Sequence, residues 1–306
     1  MPAELQEWLP RGGVLTYEEI LRVAEIGASL GVRKVRVTGG EPLTRRDIVP
    51  FFERLCRIPE LAEVGISTNG TLLANATGDG RSVARALVDA GVNSANISLD
   101  TLDPVAYASA TGRDYFQKAM AGIEAALEAG FEKVKLNSVL MRRNNEAQIV
   151  PLADFAHQRR LLLRFIELMP VSTGDVLTEA NFLPVAEAKG ILQDEYGELI
   201  PRREFRTNGP ASYFEVPGRG QLIGFIGAMT NLHFCESCNK LRLTCDGKLR
   251  PCLGSHLEFD LMSEIRRGAP DEEIAEFIRM VVDRKPKEHE FRDNYQPGRK
   301  MIAIGG

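Results

Sequence analysis

The sequence lacks the features of secreted, membrane-spanning and nucleic-acid-binding proteins. None of its apolar runs approaches the roughly 20 residues that a helix needs to cross a bilayer. The first residues are acidic and contain no apolar segment, so they do not resemble a signal peptide. A net charge of −4 offers no general attraction for nucleic acid. We therefore expect a cytoplasmic protein without membrane or nucleic-acid partners.

Two common cofactor and metal motifs are also absent. No G-x-G-x-x-G fingerprint for dinucleotides occurs in the chain. The four histidines are scattered and have no metal-ligand spacing. The hydrophobic content of 44% and the charged content of 26% are ordinary for a globular protein. A specialised site must therefore be sought among other residue types.

Cysteine is scarce, but four of the five cysteines are concentrated near the C-terminus. Cys235 and Cys238 form a C-x2-C pair, and Cys245 and Cys252 follow it. Such a pair puts two thiolates on one tight turn, and a cysteine from a separate segment can complete the site. Thiolates are soft ligands that favour zinc or an iron–sulfur cluster. Disulfides and buried free thiols are the alternatives, which we favour less because nothing else in the chain indicates secretion.

Strand and helix signals alternate through the first two-thirds of the chain. This rhythm predicts an α/β fold with a parallel sheet and helical crossovers, closed into a partial or full barrel. The predicted strands are 32–38, 63–68, 92–99, 133–140 and 162–167. The predicted helices are 16–29, 47–57, 81–90, 115–129 and 145–158, with a short helix after 103.

The rhythm ends near residue 174, which divides the predicted domains. We predict a barrel over 1–174 and a C-terminal cluster and substrate-binding domain over 175–306. Short apolar runs such as 221–227 indicate irregular or antiparallel structure, and 271–283 is a predicted late helix.

Polar residues follow the predicted strands, where parallel α/β folds carry their active sites. Gly39 and Gly40 come directly after the first strand and let the backbone approach a ligand closely. The other polar strand ends are Ser67-Thr68-Asn69-Gly70, Asp100, Asn137 and Glu167.

A set of motifs in fixed order resembles a known family. The motifs are Gly39-Gly40-Glu41-Pro42, Ser67-Thr68-Asn69-Gly70, Ile97-Ser98-Leu99-Asp100, Arg164-Phe165-Ile166-Glu167-Leu168-Met169-Pro170, the cysteine array with Lys240-Leu241-Arg242 inside it, and Gly305-Gly306. Together they resemble the GTP 3′,8-cyclase (MoaA) family of radical S-adenosylmethionine enzymes in molybdenum cofactor biosynthesis. The resemblance covers essentially the whole chain.

The resemblance implies a fold and a reaction. It implies a partial (β/α) barrel of the radical S-adenosylmethionine type, here lacking its first strand, followed by a C-terminal iron–sulfur domain. In that family a 4Fe–4S cluster and one electron cleave S-adenosylmethionine, and the resulting radical takes hydrogen from C3′ of GTP. The product is (8S)-3′,8-cyclo-7,8-dihydroguanosine 5′-triphosphate, which makes the enzyme a lyase. An electron donor is a further implied partner. The sequence does not determine the oligomeric state, and a homodimer is one possible state.

The resemblance also implies site residues. Those assigned to S-adenosylmethionine are Gly39, Gly40, Glu41, Ser98 and Met169. Those assigned to GTP are Arg36, Ser67 and Lys135, with Lys240, Leu241 and Arg242 beside a second 4Fe–4S cluster held by Cys235, Cys238 and Cys252. Cations at a barrel mouth also suit a triphosphate on chemical grounds.

The chain departs from the family at its N-terminus and in its cysteine array. The family's radical cluster uses an N-terminal C-x3-C-x2-C, which this sequence does not contain. We expect Met1 to be an internal methionine of a longer protein, and the chain as it stands to be inactive towards S-adenosylmethionine. Lys240 stands where the family usually has arginine. Cys245 is an additional cysteine, which we expect to be a bystander because it precedes an Asp-Gly turn.

Two other functions remain open at this stage. The chain could be a non-catalytic paralogue that binds GTP on the C-terminal cluster. It could also be a structural protein in which all four clustered cysteines hold zinc. Colour distinguishes the second alternative, because an iron–sulfur protein is brown and a zinc protein is colourless.

Overall fold

The computed structural model describes residues 9–171, 177–207, 209–236, 238–293, 295–296, 298–299 and 301–304. The helices are α1 Tyr17–Ser29, α2 Ile48–Leu55, α3 Val83–Asp89, α4 Pro104–Thr111, α5 Phe116–Ala129, α6 Ile149–Gln158, α7 Val185–Tyr196, α8 Leu261–Arg266, α9 Asp271–Asp283 and α10 Met301–Ile304. The strands are β1 Lys34–Val37, β2 Glu63–Thr68, β3 Ser94–Ser98, β4 Lys133–Leu140, β5 Leu162–Glu167, β6 Ile200–Pro201, β7 Ser212–Val216, β8 Gln221–Ile226, β9 Arg242–Leu243, β10 Lys248–Arg250 and β11 Phe259–Asp260.

One large sheet organises the molecule, with the strand order β1-β2-β3-β4-β5-β8-β7-β6. The first six strands in this order are parallel, and β7 and β6 continue the sheet antiparallel. A smaller antiparallel sheet, β11-β10-β9, follows the cysteine pair. The predicted α/β class, the parallel sheet and the presence of a C-terminal part are confirmed.

The segment after residue 174 contains more regular structure than the sequence predicts. Strand β8 pairs antiparallel with β7, as expected, but it also pairs parallel with β5. The prediction for 221–227 was therefore incomplete, since this run is a sixth parallel strand of the barrel sheet. Helix α7 was not predicted at all. The domain boundary near 174 stays a prediction.

Local signals explain where several helices begin. The Thr16 hydroxyl accepts a hydrogen bond from the backbone N–H of Glu19 at 3.1 Å, and the Glu19 carboxylate accepts from the N–H of Thr16 at 2.7 Å. This reciprocal capping box starts α1 as predicted. The Asp103 carboxylate caps α4, with Pro104 at the first helical position.

The two faces of the parallel sheet differ in polarity. Alternate residues of the strands point towards the helices and form the main apolar core; examples are Val64, Ile66, Ala95, Ile97, Leu163 and Phe165. The intervening residues line the inner face and are mostly polar: Arg36, Glu63, Ser67, Ser94, Asn96, Lys135, Asn137 and Arg164. Parallel strands are usually apolar on both faces, so this polar inner face indicates a site.

The C-terminal part packs against helix α1. Val23 and Ile26 of α1 share an apolar cluster with Leu261, Ile274 and other residues of α8, α9 and β10. Two ion pairs border this contact, Arg22 to Asp271 at 2.6 Å and Arg266 to Glu19 at 2.9 Å. Among the helices of the described residues, none combines the length and apolarity required to span a membrane.

Candidate nucleotide and cluster site

Arg36 extends from β1 across the inner face of β2. Its guanidinium donates to the Glu63 carboxylate at 3.2 Å, to the Ser94 hydroxyl at 3.0 Å and to the Ile66 carbonyl at 3.2 Å. Burial and then the nearby Arg164 lower the pKa of Arg36, whereas Glu63 raises it. Arg36 is therefore fixed in place before any ligand arrives.

Gly65 gives Arg36 the room for this path. A Cβ atom at position 65 would lie 2.4 Å from the Ser94 hydroxyl oxygen and 2.7 Å from a guanidinium nitrogen of Arg36. Both distances are far shorter than real carbon contacts. The backbone of β2 thus needs glycine here for close approach of the arginine.

Two further cations lie on the same face. Lys135 of β4 is only 2% exposed, and its pKa is lowered to about 8 by burial and by the neighbouring Arg164 and Arg36. Arg164 of β5 is 6% exposed and donates to the Asn137 side-chain oxygen at 2.9 Å. Burial lowers the pKa of Arg164. Arg36 is partly exposed and paired with Glu63, whereas Lys135 and Arg164 are buried, so this face carries an excess of positive charge that suits an anionic ligand.

The proximity of Arg36 and Arg164 is consistent with a curved sheet. These residues are on β1 and β5, which are four strand positions apart. In a flat sheet those strands would be about 19 Å apart at the usual spacing. The charge of Arg164 nevertheless lowers the pKa of Arg36. This agrees with the concave inner face expected for a partial barrel.

An unpartnered acceptor lies within this concave face. Asn96 of β3 is in register with Ser67 on one side and Lys135 on the other. It is 7% exposed, and among the described residues its side-chain oxygen has no hydrogen-bond partner. A buried acceptor without a partner costs about 1–3 kcal/mol, so a ligand or water is expected to supply the missing donor.

The segment between the cysteines lies against the same charges. Burial lowers the pKa of Lys240, Cys238 raises it, and the cations Arg242, Arg36 and Arg164 lower it further. The pKa of Arg242 is lowered by burial and raised by Cys238 and Cys252. Within the described part of the chain, Nε of Arg242 is buried without a hydrogen-bond partner. Lys240 and Arg242 thus connect the cationic face to the cysteines.

Two of the clustered cysteines act electrostatically on a third. The backbone N–H of Cys238 donates to the carbonyl of Cys235 at 3.0 Å, which closes the expected tight turn. The pKa of Cys252 is raised by burial, with Cys238 and Cys235 contributing to the increase. All three side chains are half-buried and carry no disulfide. Thiols from two separate segments therefore converge beside Arg242.

Cys245 has different surroundings. It is exposed, and its carbonyl accepts a hydrogen bond from the backbone N–H of Leu15 at 2.8 Å. Apart from burial, Asp246 and Arg299 are the side chains that act on its pKa, rather than the other cysteines. The fourth thiol is thus held near the start of α1.

The three thiols and the cations beside them form a set of soft, charge-compensated ligands. Among the described residues, no three His, Cys, Asp or Glu side chains form a group that could hold one metal ion. The thiolates of a four-iron cluster bind different irons and can therefore be farther apart than the ligands of one ion. The partly buried cations Arg242 and Lys240 would also compensate the negative charge that thiolates and a cluster bring.

The residues assigned to S-adenosylmethionine by resemblance lie at strand ends or in loops. Ser98 is exposed at the end of β3, and Gly39 borders open space. Met169 packs on the apolar pair Phe291 and Tyr295. Gly40 follows Gly39 in the bend after β1.

Glu41, which the resemblance assigns to S-adenosylmethionine, also has a structural role. Its carboxylate accepts from the Thr68 hydroxyl at 2.7 Å, the Asn69 N–H at 2.8 Å and the Leu43 N–H at 3.2 Å. It therefore ties the loop after β1 to the loop after β2. Leu241, assigned to GTP, packs against the C-terminal apolar cluster.

Three residues of this region received no assigned role from the sequence. Arg164 was quoted only within a motif, although an arginine inside the apolar run of β5 was a visible signal. Asn96 had no signal beyond its alternation with core residues. Glu167, at the end of β5, is fully buried and accepts from the N–H groups of Val185, Met229 and Thr230 at 2.8–3.1 Å. It fixes the loop that leads to the cysteine pair.

Comparison with known proteins agrees with this architecture. The Radical SAM superfamily profile matches residues 5–156, and the Molybdenum Cofactor Synthesis C profile matches residues 161–291. A GTP 3′,8-cyclase from Pelotomaculum thermopropionicum is 40% identical over 306 residues, covering 100% of this chain and 92% of that protein. One from Moorella thermoacetica is 41% identical over 96% of this chain and 88% of its own length.

Solved structures share the fold at low sequence identity. The structure of anSMEcpe with bound AdoMet has a TM-score of 0.56 at 15% identity, covering 94% of this chain and 76% of that one. SuiB of Streptococcus suis bound to S-adenosylmethionine has a TM-score of 0.55 at 15% identity, covering 90% of this chain and 64% of that one. These two likenesses concern the fold alone. With two profiles and near-full-length relatives in agreement, the chain belongs to the GTP 3′,8-cyclase (MoaA) family of the radical S-adenosylmethionine superfamily.

Proposed function

We propose that this chain binds GTP on the concave inner face and belongs to an enzyme that converts GTP to (8S)-3′,8-cyclo-7,8-dihydroguanosine 5′-triphosphate. The observation that carries the proposal is the convergence of Arg36, Lys135 and Arg164 beneath Lys240. A triphosphate would neutralise these buried charges and accept their hydrogen bonds. The relatives' printed name, GTP 3′,8-cyclase, supports the choice of nucleotide.

In this proposal Cys235, Cys238 and Cys252 hold a 4Fe–4S cluster. A cluster with three thiolate ligands leaves one iron open to a further ligand. Arg242 lies beside the thiols, and Lys240 lies between the thiols and the proposed phosphate site. These two residues would therefore orient the nucleotide between the cluster and the cationic inner face. The buried acceptor of Asn96 would receive a donor from the ligand or its water.

S-adenosylmethionine is the second proposed ligand, at the strand-end loops with Gly39, Gly40, Glu41, Ser98 and Met169. Two fold neighbours bind it, which supports the assignment. The residues present do not fit a second, radical-generating cluster, because the sequence contains no C-x3-C-x2-C. We therefore expect these 306 residues, supplied with an electron donor, to form no 5′-deoxyadenosine.

The proposed nucleotide specificity can be measured by titration calorimetry. The chain is reconstituted with iron and sulfide without oxygen and titrated with GTP, GDP and ATP. GTP is expected to bind most tightly, GDP more weakly because it lacks the third phosphate, and ATP more weakly because its base differs. Equal affinities for GTP and ATP, or no binding of either, would contradict the proposal. A colourless protein with one bound zinc would favour the structural alternative instead.

The affinity for GTP is expected to fall as the pH rises above about 8. The pKa of Lys135 is about 8 in the ligand-free chain, so the ammonium form predominates only below that pH. A bound triphosphate favours the ammonium form and raises this pKa, so binding above pH 8 requires uptake of one proton. The dissociation constant should then rise by up to about tenfold per pH unit.

Lys135→Arg is the matched control for this pH dependence. Arginine keeps its charge throughout this range, so the variant should bind GTP with little change between pH 7.5 and 9.5, roughly the interval that separates the two lysine states. Calorimetry over that interval gives the comparison. A wild-type affinity that is equally flat would show that Lys135 does not meet the phosphates.

A further inference from the structure

Lys285 connects the two segments that carry the clustered cysteines. Its ammonium group donates to the carbonyl oxygen of Lys240 at 2.9 Å and also to the carbonyl oxygen of Pro251. Lys240 comes two residues after Cys238, and Pro251 immediately precedes Cys252. One side chain therefore spans the gap between the C-x2-C turn and the third cysteine.

The backbone at Lys285 is held in place by the helix before it. Lys285 follows α9, whose residues Ile274, Ile278 and Val281 are buried in the C-terminal apolar cluster against α1. The backbone N–H of Lys285 donates to the carbonyl of Val282 at 3.0 Å, which continues the helix end. Ordering a long lysine side chain costs conformational entropy. The two charge-assisted hydrogen bonds, which are stronger than neutral ones, offset this cost.

The positive charge of Lys285 also reaches the thiols. The Pro251 carbonyl that Lys285 contacts belongs to the residue directly before Cys252, so the ammonium group lies next to the third cysteine segment. Net charge and nearby charged groups help to set the reduction potential of an iron–sulfur cluster. A cation at this position stabilises the more negative, reduced form.

We infer that Lys285 is a positioning residue for the C-terminal cluster: it holds the two cysteine segments in register and raises the cluster's reduction potential. The inference rests on the proposed assignment of Cys235, Cys238 and Cys252 as cluster ligands. It adds a residue from outside the cysteine motif, on a different element of the fold.

The test compares Lys285→Met with Lys287→Met after reconstitution with iron and sulfide. Lys287 is exposed and lies two residues further along, so its replacement makes the same change in net charge. Iron per chain after gel filtration and the midpoint potential from redox titration followed by electron paramagnetic resonance are measured. Lys285→Met is expected to retain less iron and to shift the potential to more negative values, while Lys287→Met should match the wild type.

Equal iron retention and equal potentials in the two methionine variants would overturn the inference. A Lys285→Met protein with a lower melting temperature but an unchanged potential would also overturn it, since lost stability alone does not move the potential. If Lys285→Met does not fold, Lys285→Arg provides the measurement, because it keeps the charge and should keep the wild-type potential; a marked shift in that variant would count against the inference. A wild-type chain that takes up no iron would refute the cluster proposal itself, which is a different result.

Discussion

Cys252→Ser is expected to abolish cluster binding at the C-terminal site, whereas Cys245→Ser should leave it essentially intact. Cys252 lies with Cys235 and Cys238, whose charges act on its pKa. Cys245 is exposed, and the charges that act on it belong to Asp246 and Arg299. A three-ligand cluster that loses one thiolate is left with two protein bonds, which do not retain it during purification.

Iron and sulfide per chain, together with the visible absorption of the reconstituted protein, measure this difference. Both variants replace one cysteine by serine, so any effect of simply having one thiol fewer is the same in the two proteins. Iron loading that collapses in Cys245→Ser but survives in Cys252→Ser would reverse the ligand assignment. Loss in both variants would indicate a site with four thiolates, as in a closed cluster or a zinc site.

Arg164→Met should weaken GTP binding by roughly a hundredfold without unfolding the protein. Hydrogen bonds to charged groups contribute about 1.5–3 kcal/mol, and 1.4 kcal/mol corresponds to about tenfold in affinity. Arg164 is buried close to Arg36 and Lys135, and its side chain interacts with the side chains of Asn137 and Tyr213. Methionine of similar length removes one of three repelling charges, so the ligand-free protein should be as stable as the wild type or more stable.

The prediction is specific because Arg164→Met should weaken GTP binding without lowering the stability of the ligand-free protein. Calorimetry with GTP and the melting temperature without ligand should be measured on the same samples. Arg57→Met is the control: Arg57 is exposed between α2 and β2, at the opposite end of the strands, and its loss makes the same change in net charge. A similar loss of affinity in both variants would indicate a general electrostatic effect. A strongly destabilised Arg164→Met protein would indicate that Arg164 has a structural role in the sheet.

Much of the parallel sheet could be predicted because its signals are local. The bounds of β2, β4 and β5 agree with the predicted runs, and the capping box at Thr16 correctly starts α1. These elements depend on alternation and on residues three or four positions apart.

The missed elements depend on residues that are distant along the chain. Strand β8 pairs with β5, and nothing within 221–227 alone indicates a parallel partner ending at residue 167. The role of Glu167 is set by Met229 and Thr230, more than sixty positions away. Likewise, the Asp-Gly turn after Cys245 suggested that this cysteine differs from the others, but its contact with Leu15 could not be predicted from the spacing.

The pairing of β8 with β5 has a consequence for the synthesis of this protein on the ribosome. Until residue 226 has left the exit tunnel, one edge of β5 has no strand beside it, although β1 to β5 can already assemble. An uncovered apolar edge strand is a template for wrong pairing with other chains. The nascent chain therefore passes through a stage of aggregation risk, and it ends only when the strand that precedes the cysteine pair docks and covers β5.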